Sequence, residues 1–570
     1  MKQVSISLIL ILIVSALGIS FCSAANEPDF GQNVFIFDSQ MPMENIQDKI
    51  NEIYNRMERS EFGTNRYAFL FKPGEYNLDV KVGYYTEVLG LGESPDDVVI
   101  NGAVRSKARG LRGGGVLTNF WRSCENIAVV PKTEQSNVWA VSQAAPFRRM
   151  HIKGSLTLSD GGYSSGGFIA DSVIDGSIVS GSQQQWFTRN SKIGNWIGGV
   201  WNMFFLGVEN PPQESWPDPP YTVVEKTPRI REKPFLTIDK DGKYNVFVPA
   251  LRDETQGITW SMGKASGETI SMDHFYIAKA ENDNAKSINA ALEQGKNIIL
   301  TPGIYHLEDS VKVSRPDTVV LGLGIATLAP DNGTAAMEVS DVDGVKIAGI
   351  LFDAGAENSP VLLQIGDGKS TRDHSSNPTS IHDIFCRVGG PAVGKATHSV
   401  VINNNDVIGD HFWLWRADHG RGVGWDSNVT RNALIVSGNN VTIYGLFVEH
   451  YHEYQTLWNG NGGCVYFYQS EMPYDPPSQE AWQHNGVNGY ASYKLADTVT
   501  SHEASGLGIY CVFRAGPILA ENAIETPDAP GIKMHHLVTI RLGGQRGSGI
   551  NHIINGSGPP VITTQKATMN

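Results

Sequence analysis

The chain repeats itself. An amphipathic stretch, Glu44-Asn45-Ile46-Gln47-Asp48-Lys49-Ile50-Asn51-Glu52-Ile53, leads into Phe69-Leu70-Phe71-Lys72-Pro73-Gly74-Glu75-Tyr76 and then Thr86-Glu87-Val88-Leu89-Gly90-Leu91-Gly92. The same order returns as Asn284-Ala285-Lys286-Ser287-Ile288-Asn289-Ala290-Ala291-Leu292, Ile298-Ile299-Leu300-Thr301-Pro302-Gly303-Ile304-Tyr305 and Thr318-Val319-Val320-Leu321-Gly322-Leu323-Gly324. Two copies of helix, strand, Pro-Gly turn and strand predict two domains of one architecture in tandem.

After each opening comes a rhythm of short apolar runs, such as Val98-Val99-Ile100, Ile127-Ala128-Val129-Val130, Val345-Lys346-Ile347 and Ser399-Val400-Val401-Ile402. Gly, Asn, Asp and Ser separate them, with little helical periodicity between. Strands this short cannot bury a face alone, so they must stack on neighbours of the same kind, as the coils of a parallel solenoid do. A β-sandwich is the competing fold, but it would need closely spaced hairpin turns. The fold class expected is all-β: two tandem right-handed parallel β-helices, with a short capping helix at the start of each.

Residues 1–25, with Lys2, an apolar run from Ile6 to Phe21 and the small residues Ser23-Ala24-Ala25, read as a signal peptide of a secreted protein. The run is too short and wrongly flanked for a lasting membrane anchor, and an extracellular protein is expected, as a monomer. An N-terminal β-helix domain is expected over 26–209, a Pro-rich linker with bracing strands over 210–280, and a C-terminal β-helix domain over 281–570. The net charge of -14 argues against nucleic acid and anionic membranes as partners and favours a neutral polymer. Cys124, Cys386, Cys464 and Cys511 lack metal-ligand spacing and are either buried thiols or disulfides. Asn332, Asn428, Asn440 and Asn555 stand in glycosylation sequons. The glycines of the two Leu-Gly-Leu-Gly runs do not open helices and read as turns. His450 and His452 have no third ligand nearby, and Asp341-Val342-Asp343-Gly344 lacks the rest of a calcium loop, so neither metal nor cofactor is expected.

Charged and aromatic groups crowd 447–458 and 465–477, where a solenoid would ordinarily carry small polar corners. Glu449 and Glu471 lie about one coil apart, which would set their backbones about 4.8 Å from each other. Like charges so close would hold a proton on one of them, as a general acid requires. Trp413, Trp415, Trp458, Tyr468 and Tyr474 offer flat faces on which sugar rings stack. Two solenoids side by side would place these groups in the groove between them.

Glu449-His450, Tyr454-Gln455, Val465-Tyr466 and Gln469-Ser470-Glu471-Met472-Pro473-Tyr474 together resemble the catalytic region of glycoside hydrolase family 55, the exo-β-1,3-glucanases or laminarinases. Phe412-Trp413-Leu414-Trp415-Arg416-Ala417-Asp418-His419 and Phe385-Cys386-Arg387-Val388-Gly389-Gly390 resemble further coils of that family. So do Trp139-Ala140-Val141-Ser142-Gln143-Ala144, Gly166-Gly167-Phe168 and Gln184-Gln185-Trp186-Phe187-Thr188-Arg189-Asn190 in the first half. The resemblance implies release of sugar from β-1,3-glucan chain ends with inversion, Glu471 as general acid, and a second carboxylate, Glu449, close to it, which its one-coil spacing reads as tuning the acid's pKa. It also implies an attacking water held by Gln143, Gln184 and Ser165, with Trp415, Asp418, His450, Trp458 and Tyr474 in the substrate groove. The alternatives are a polysaccharide lyase or other-linkage glycosidase on a β-helix, and a noncatalytic carbohydrate-binding or adhesin solenoid. A lyase would need a basic groove for uronic acids, and an adhesin has no need of paired glutamates among its aromatics.

Overall fold

A computed structural model describes residues 27–108, 116–132 and 136–570. The expected signal peptide lies outside the described residues. Helix α1, Met43–Met57, buries Ile46, Ile50, Ile53 and Met57 along one face. Helix α2, Ala285–Glu293, buries Ala285, Ile288, Ala291 and Leu292, and starts on a capping box in which the Asn284 side chain accepts from Ser287 N at 3.2 Å. No helix among the described residues is long and apolar enough to cross a membrane.

Each helix covers the start of a stack of parallel strands. From Val34–Phe37, through Tyr67–Phe71 and Thr86–Gly90, to Asn202–Leu206 and Tyr221–Val224, strands of the first half pair in parallel, coil upon coil. The second half builds two such sheets. One runs from Phe275–Ala278 through Ile408–Arg416, Thr442–Glu449 and Gly463–Glu471 to Gly531–Gly544, and the other from Val311–Val313 to Gly549–Ile554. The aliphatic interior of the second half forms one continuous core.

The expected linker is narrower than 210–280. The β-branched run in Tyr221–Val224 extends the first stack beyond the prolines, and Phe275–Ala278 begins the second stack ahead of α2. Between them, Phe235–Ile238, Tyr244–Pro249 and Gly267–Ser271 form an antiparallel brace. The Leu-Gly glycines also differ from expectation. Gly90 and Gly322 are strand residues, where a Cβ would stand 2.0 Å from Asn126 O and 2.4 Å from Gly349 O, so they mark close approach of neighbouring coils. The four cysteines are free thiols, three of them buried. Asn428 is wholly buried, its side chain bonded to Val388 O and Ala417 O at 2.9 and 2.8 Å, which removes it as a glycosylation acceptor.

One device recurs on the face that each half turns toward the other. Successive coils of the second half carry a left-handed residue at equivalent positions: Gly349, Asp383, His411, Gly445, Phe467 and Gly506, with φ between 51° and 72°. Such a residue interrupts the in-out alternation, as in a β-bulge, and re-aims the side chains after it. Phe467 has this effect in Gly463–Glu471: Tyr468 turns inward while Gln469 and Glu471 emerge toward the first half. At Gly445 a Cβ would stand 2.9 Å from Phe187 Cδ1, so here the halves leave no room for a side chain.

The halves meet through aromatics and charges. Phe187 stacks on Phe467 at 5.5 Å, and Trp413 lies 4.7 Å from Trp121. Beside them Arg148 binds Asp383 and Asp410 at 2.8 and 2.7 Å, while Arg189 binds Asp410 and Glu232 at 2.9 and 2.6 Å. These groups are almost fully buried, and their mutual pairing compensates the charges for lost water.

Candidate active site

A cavity of about 580 Å³ opens between the two halves. Parallel pairing of Thr442–Glu449 with Gly463–Glu471 sets Glu449 opposite Glu471 in register, on adjacent coils. Gln143, Ser165 and Gln184 come from coils of the first half and line the same cavity, with Trp415, Asp418, His450 and Tyr474. With Trp413, which lines it too, ten of the twelve residues expected here from sequence share one space.

Trp458 and Tyr468 are the exceptions. Trp458 belongs to the other sheet, in Thr456–Trp458, and points into the interior of the second half, where Gly463 leaves it space and His502 packs 4.8 Å away. Tyr468 is likewise interior, donating to Ser492 O at 2.9 Å. Both read as groove aromatics because an aromatic run looks alike on either face until the bulge position is known. Trp413 lines the cavity as expected, and among the lining residues that were not expected are Phe120, His419 and Arg514. Gln469, also missed, bridges the carboxyls, and the odd spacing 469, 471 was its signal.

A continuous polar chain crosses the cavity. Ser165 Oγ donates to Gln143 Oε1 at 3.1 Å, and Gln143 Nε2 donates to Glu449 Oε1 at 2.7 Å. Gln469 Nε2 donates to the same oxygen at 3.0 Å and reaches Glu471 Oε1 at 3.4 Å. The Tyr474 hydroxyl donates to Glu471 Oε2, and His450 Nε2 lies 3.9 Å from that oxygen.

Both carboxyls hold their protons far more firmly than exposed glutamates. Burial pushes Glu449 well above its ordinary value, and the neighbouring Glu471 adds to this. Burial also pushes Glu471 up to about 7; the Tyr474 hydrogen bond and Arg514 oppose the rise, and Asp418 assists it. Loss of water is the leading cause at both carboxyls, and the coupling between these adjacent groups adds to it. Asp418 stays ionised, its hydrogen bond from His419 overcoming the effect of burial.

The other wall is aromatic. Trp413 and Trp415 stack at 5.0 Å and 17°, and Phe120 packs 4.7 and 5.7 Å from them. Flat apolar faces, hydroxyl-binding amides and a carboxyl protonated near neutrality define a glycoside hydrolase.

The comparisons agree. The LAM55 pectate lyase-like domain family matches residues 275–471. The chain is 49% identical over 536 residues, covering 93% of its length and 87% of the relative's, to an exo-beta-1,3-glucanase of Streptomyces sp. (strain SirexAA-E / ActE). The structure of sacteLam55A from Streptomyces sp. SirexAA-E superposes with a TM-score of 0.92 at 48% identity, covering 95% of this chain and 98% of that one. A variant of sacteLam55A in complex with glucose matches with the same figures. The chain belongs to glycoside hydrolase family 55, the exo-β-1,3-glucanase or laminarinase family of the pectate-lyase-like β-helix superfamily.

Proposed function

We propose that the protein is a secreted, monomeric hydrolase that removes sugar from the end of β-1,3-glucan chains with inversion, working between two tandem right-handed β-helices. Glu471 is the general acid. Its proton passes to the glycosidic oxygen as the bond from that oxygen to the anomeric carbon breaks, and a water attacks the carbon from the opposite side, giving up a proton to solvent as the new bond forms. Gln143, Ser165 and Gln184 hold that water, and Trp415 carries the ring.

A single observation carries this reading: a carboxyl pushed up to about 7 faces first-half amides across a cavity with a tryptophan wall. Acid and base of an inverting pair usually stand roughly 6.5–9.5 Å apart to leave room for the water. Glu449 sits on the adjacent coil, where strands are about 4.8 Å apart, so it is not that base. It ties the water-holding amides to the acid instead. The close relative that is named an exo-beta-1,3-glucanase supports the linkage.

The test is a product assay on laminarin, pustulan, lichenan, cellulose and polygalacturonate, with NMR of the first anomer formed. Glucose from laminarin, appearing first as the α-anomer, is expected. Glu471→Gln should lower laminarin turnover by roughly a hundred- to ten-thousand-fold, the usual contribution of general acid catalysis, while binding persists. No sugar from laminarin, or an unsaturated product from polygalacturonate, overturns the reading.

A further inference from the structure

Beside the acid's cavity, Gly390 and His419 both meet one short segment of the first half, residues 58–66. Glu61 Oε1 accepts from His419 Nε2 at 2.5 Å, while His419 Nδ1 donates to Asp418 Oδ1 at 2.8 Å. Burial works against charge on the imidazole, but the hydrogen bonds to Asp418 and Glu61 prevail and push its pKa up to about 10. The result is an ionic clasp between halves, 358 residues apart in sequence.

Phe62 completes the contact. Its ring lies parallel to Trp415, at 6.3 Å and 3°, and it fills the space beside Gly390, where a Cβ would stand 2.8 Å from Phe62 Cε1. Gly420 is equally confined, since a Cβ there would stand 2.2 Å from Gly390 O. Within the segment, the Tyr85 hydroxyl donates to Glu61 O at 2.6 Å, and Arg66 Nη1 donates to Gly63 O at 2.7 Å. The Arg66 guanidinium also lies 3.8 Å from the centre of the Tyr85 ring. These bonds make the segment a fixed wall.

Trp415, Asp418 and His419 line the cavity, and Glu61 and Phe62 stand directly behind them. Asp418 is also within electrostatic reach of Glu471, so the wall rises close to the acid. We infer that Glu61 and Phe62 close one end of the groove and are the specificity determinants that confine hydrolysis to chain ends. This rests on the proposed glucan hydrolysis. A polymer cannot run past a wall so near the acid, and only a terminal segment fits between them.

The test uses laminarin whose terminal rings have been oxidised by periodate and then reduced by borohydride. Inner 1,3-linked rings lack vicinal diols and survive intact, so only the ends are blocked. The wild type should lose turnover on the blocked polymer while releasing glucose from intact laminarin. Phe62→Ala and Glu61→Gln should gain cleavage of the blocked polymer and release oligosaccharides, and Phe62→Leu should keep the wild-type product pattern. Wild-type cleavage of the blocked polymer, or folded variants that still release only glucose and leave that polymer intact, overturns the inference. No sugar from intact laminarin with the wild type would instead overturn the functional reading.

Discussion

Gln143, in the first half, donates from Nε2 to Oε1 of Glu449, in the second, at 2.7 Å, and this bond joins the amides of one domain to the carboxyls of the other. Glu449 Oε1 also accepts from Gln469 at 3.0 Å, so one oxygen serves two donors.

A neutral acceptor should satisfy both donors. Glu449→Gln keeps that acceptor and imitates the protonated acid, so Glu471 should keep its raised value of about 7. The alkaline limb of kcat/KM, which reports the acid of the free enzyme, should therefore stay in place. The sequence alone leads to the opposite expectation, a limb displaced to lower pH by loss of repulsion. A clear downward displacement in the measured profile would mean that repulsion from Glu449, more than burial, keeps the proton on Glu471.

Tyr474 offers a sign-opposed control. Its hydroxyl hydrogen bond favours the ionised form of Glu471, whereas the charge on Asp418 disfavours it. Tyr474→Phe should move the alkaline limb to higher pH, and Asp418→Asn should move it to lower pH. Shifts in the same direction in the two profiles would contradict this electrostatic account.

The stacks of parallel strands were legible because their physics is local: short runs at coil spacing, repeated twice, leave few ways to bury apolar surface. The carboxyl pair was legible for the same reason, since one coil of separation translates directly into strand register. The aim of individual side chains was not. Asp383, His411 and Phe467 occupy left-handed positions without being glycine, so nothing in the sequence marks where alternation resets, and Trp458 and Tyr468 were assigned to the wrong face. Nor does any local pattern pair Glu61 with His419 or Arg148 with Asp410. Those contacts exist only after both stacks have formed and docked.

Arg148 should be the most costly of those contacts to remove. It is 3% exposed and neutralises Asp383 and Asp410, themselves 2% and 0% exposed. Arg148→Met strands two buried carboxylates with only part of their compensation, and breaking a buried pair from one side costs about 3–5 kcal/mol. The midpoint of chemical denaturation should fall accordingly. If the halves unfold separately, the same substitution should split one transition into two, whereas an unchanged midpoint would contradict the claim that these charges fasten the interface.

The acid itself should leave a signature in stability. An unfolded Glu471 titrates near its ordinary value of 4.5, and the folded one at about 7, so between these values the folded state holds more protons than the unfolded state. Stability then decreases as pH rises, because the slope follows the protons bound when unfolded minus those bound when folded, and here that difference is negative. Below 4.5 the group contributes no penalty, and above about 7 the penalty is complete. Glu471→Gln cannot ionise, so its Tm relative to wild type should climb across this window and then level off, even though the variant has lost its turnover. Parallel Tm curves for the two proteins from acid to neutral pH would show that folding does not hold a proton on Glu471, and the general acid would have to be sought at another residue.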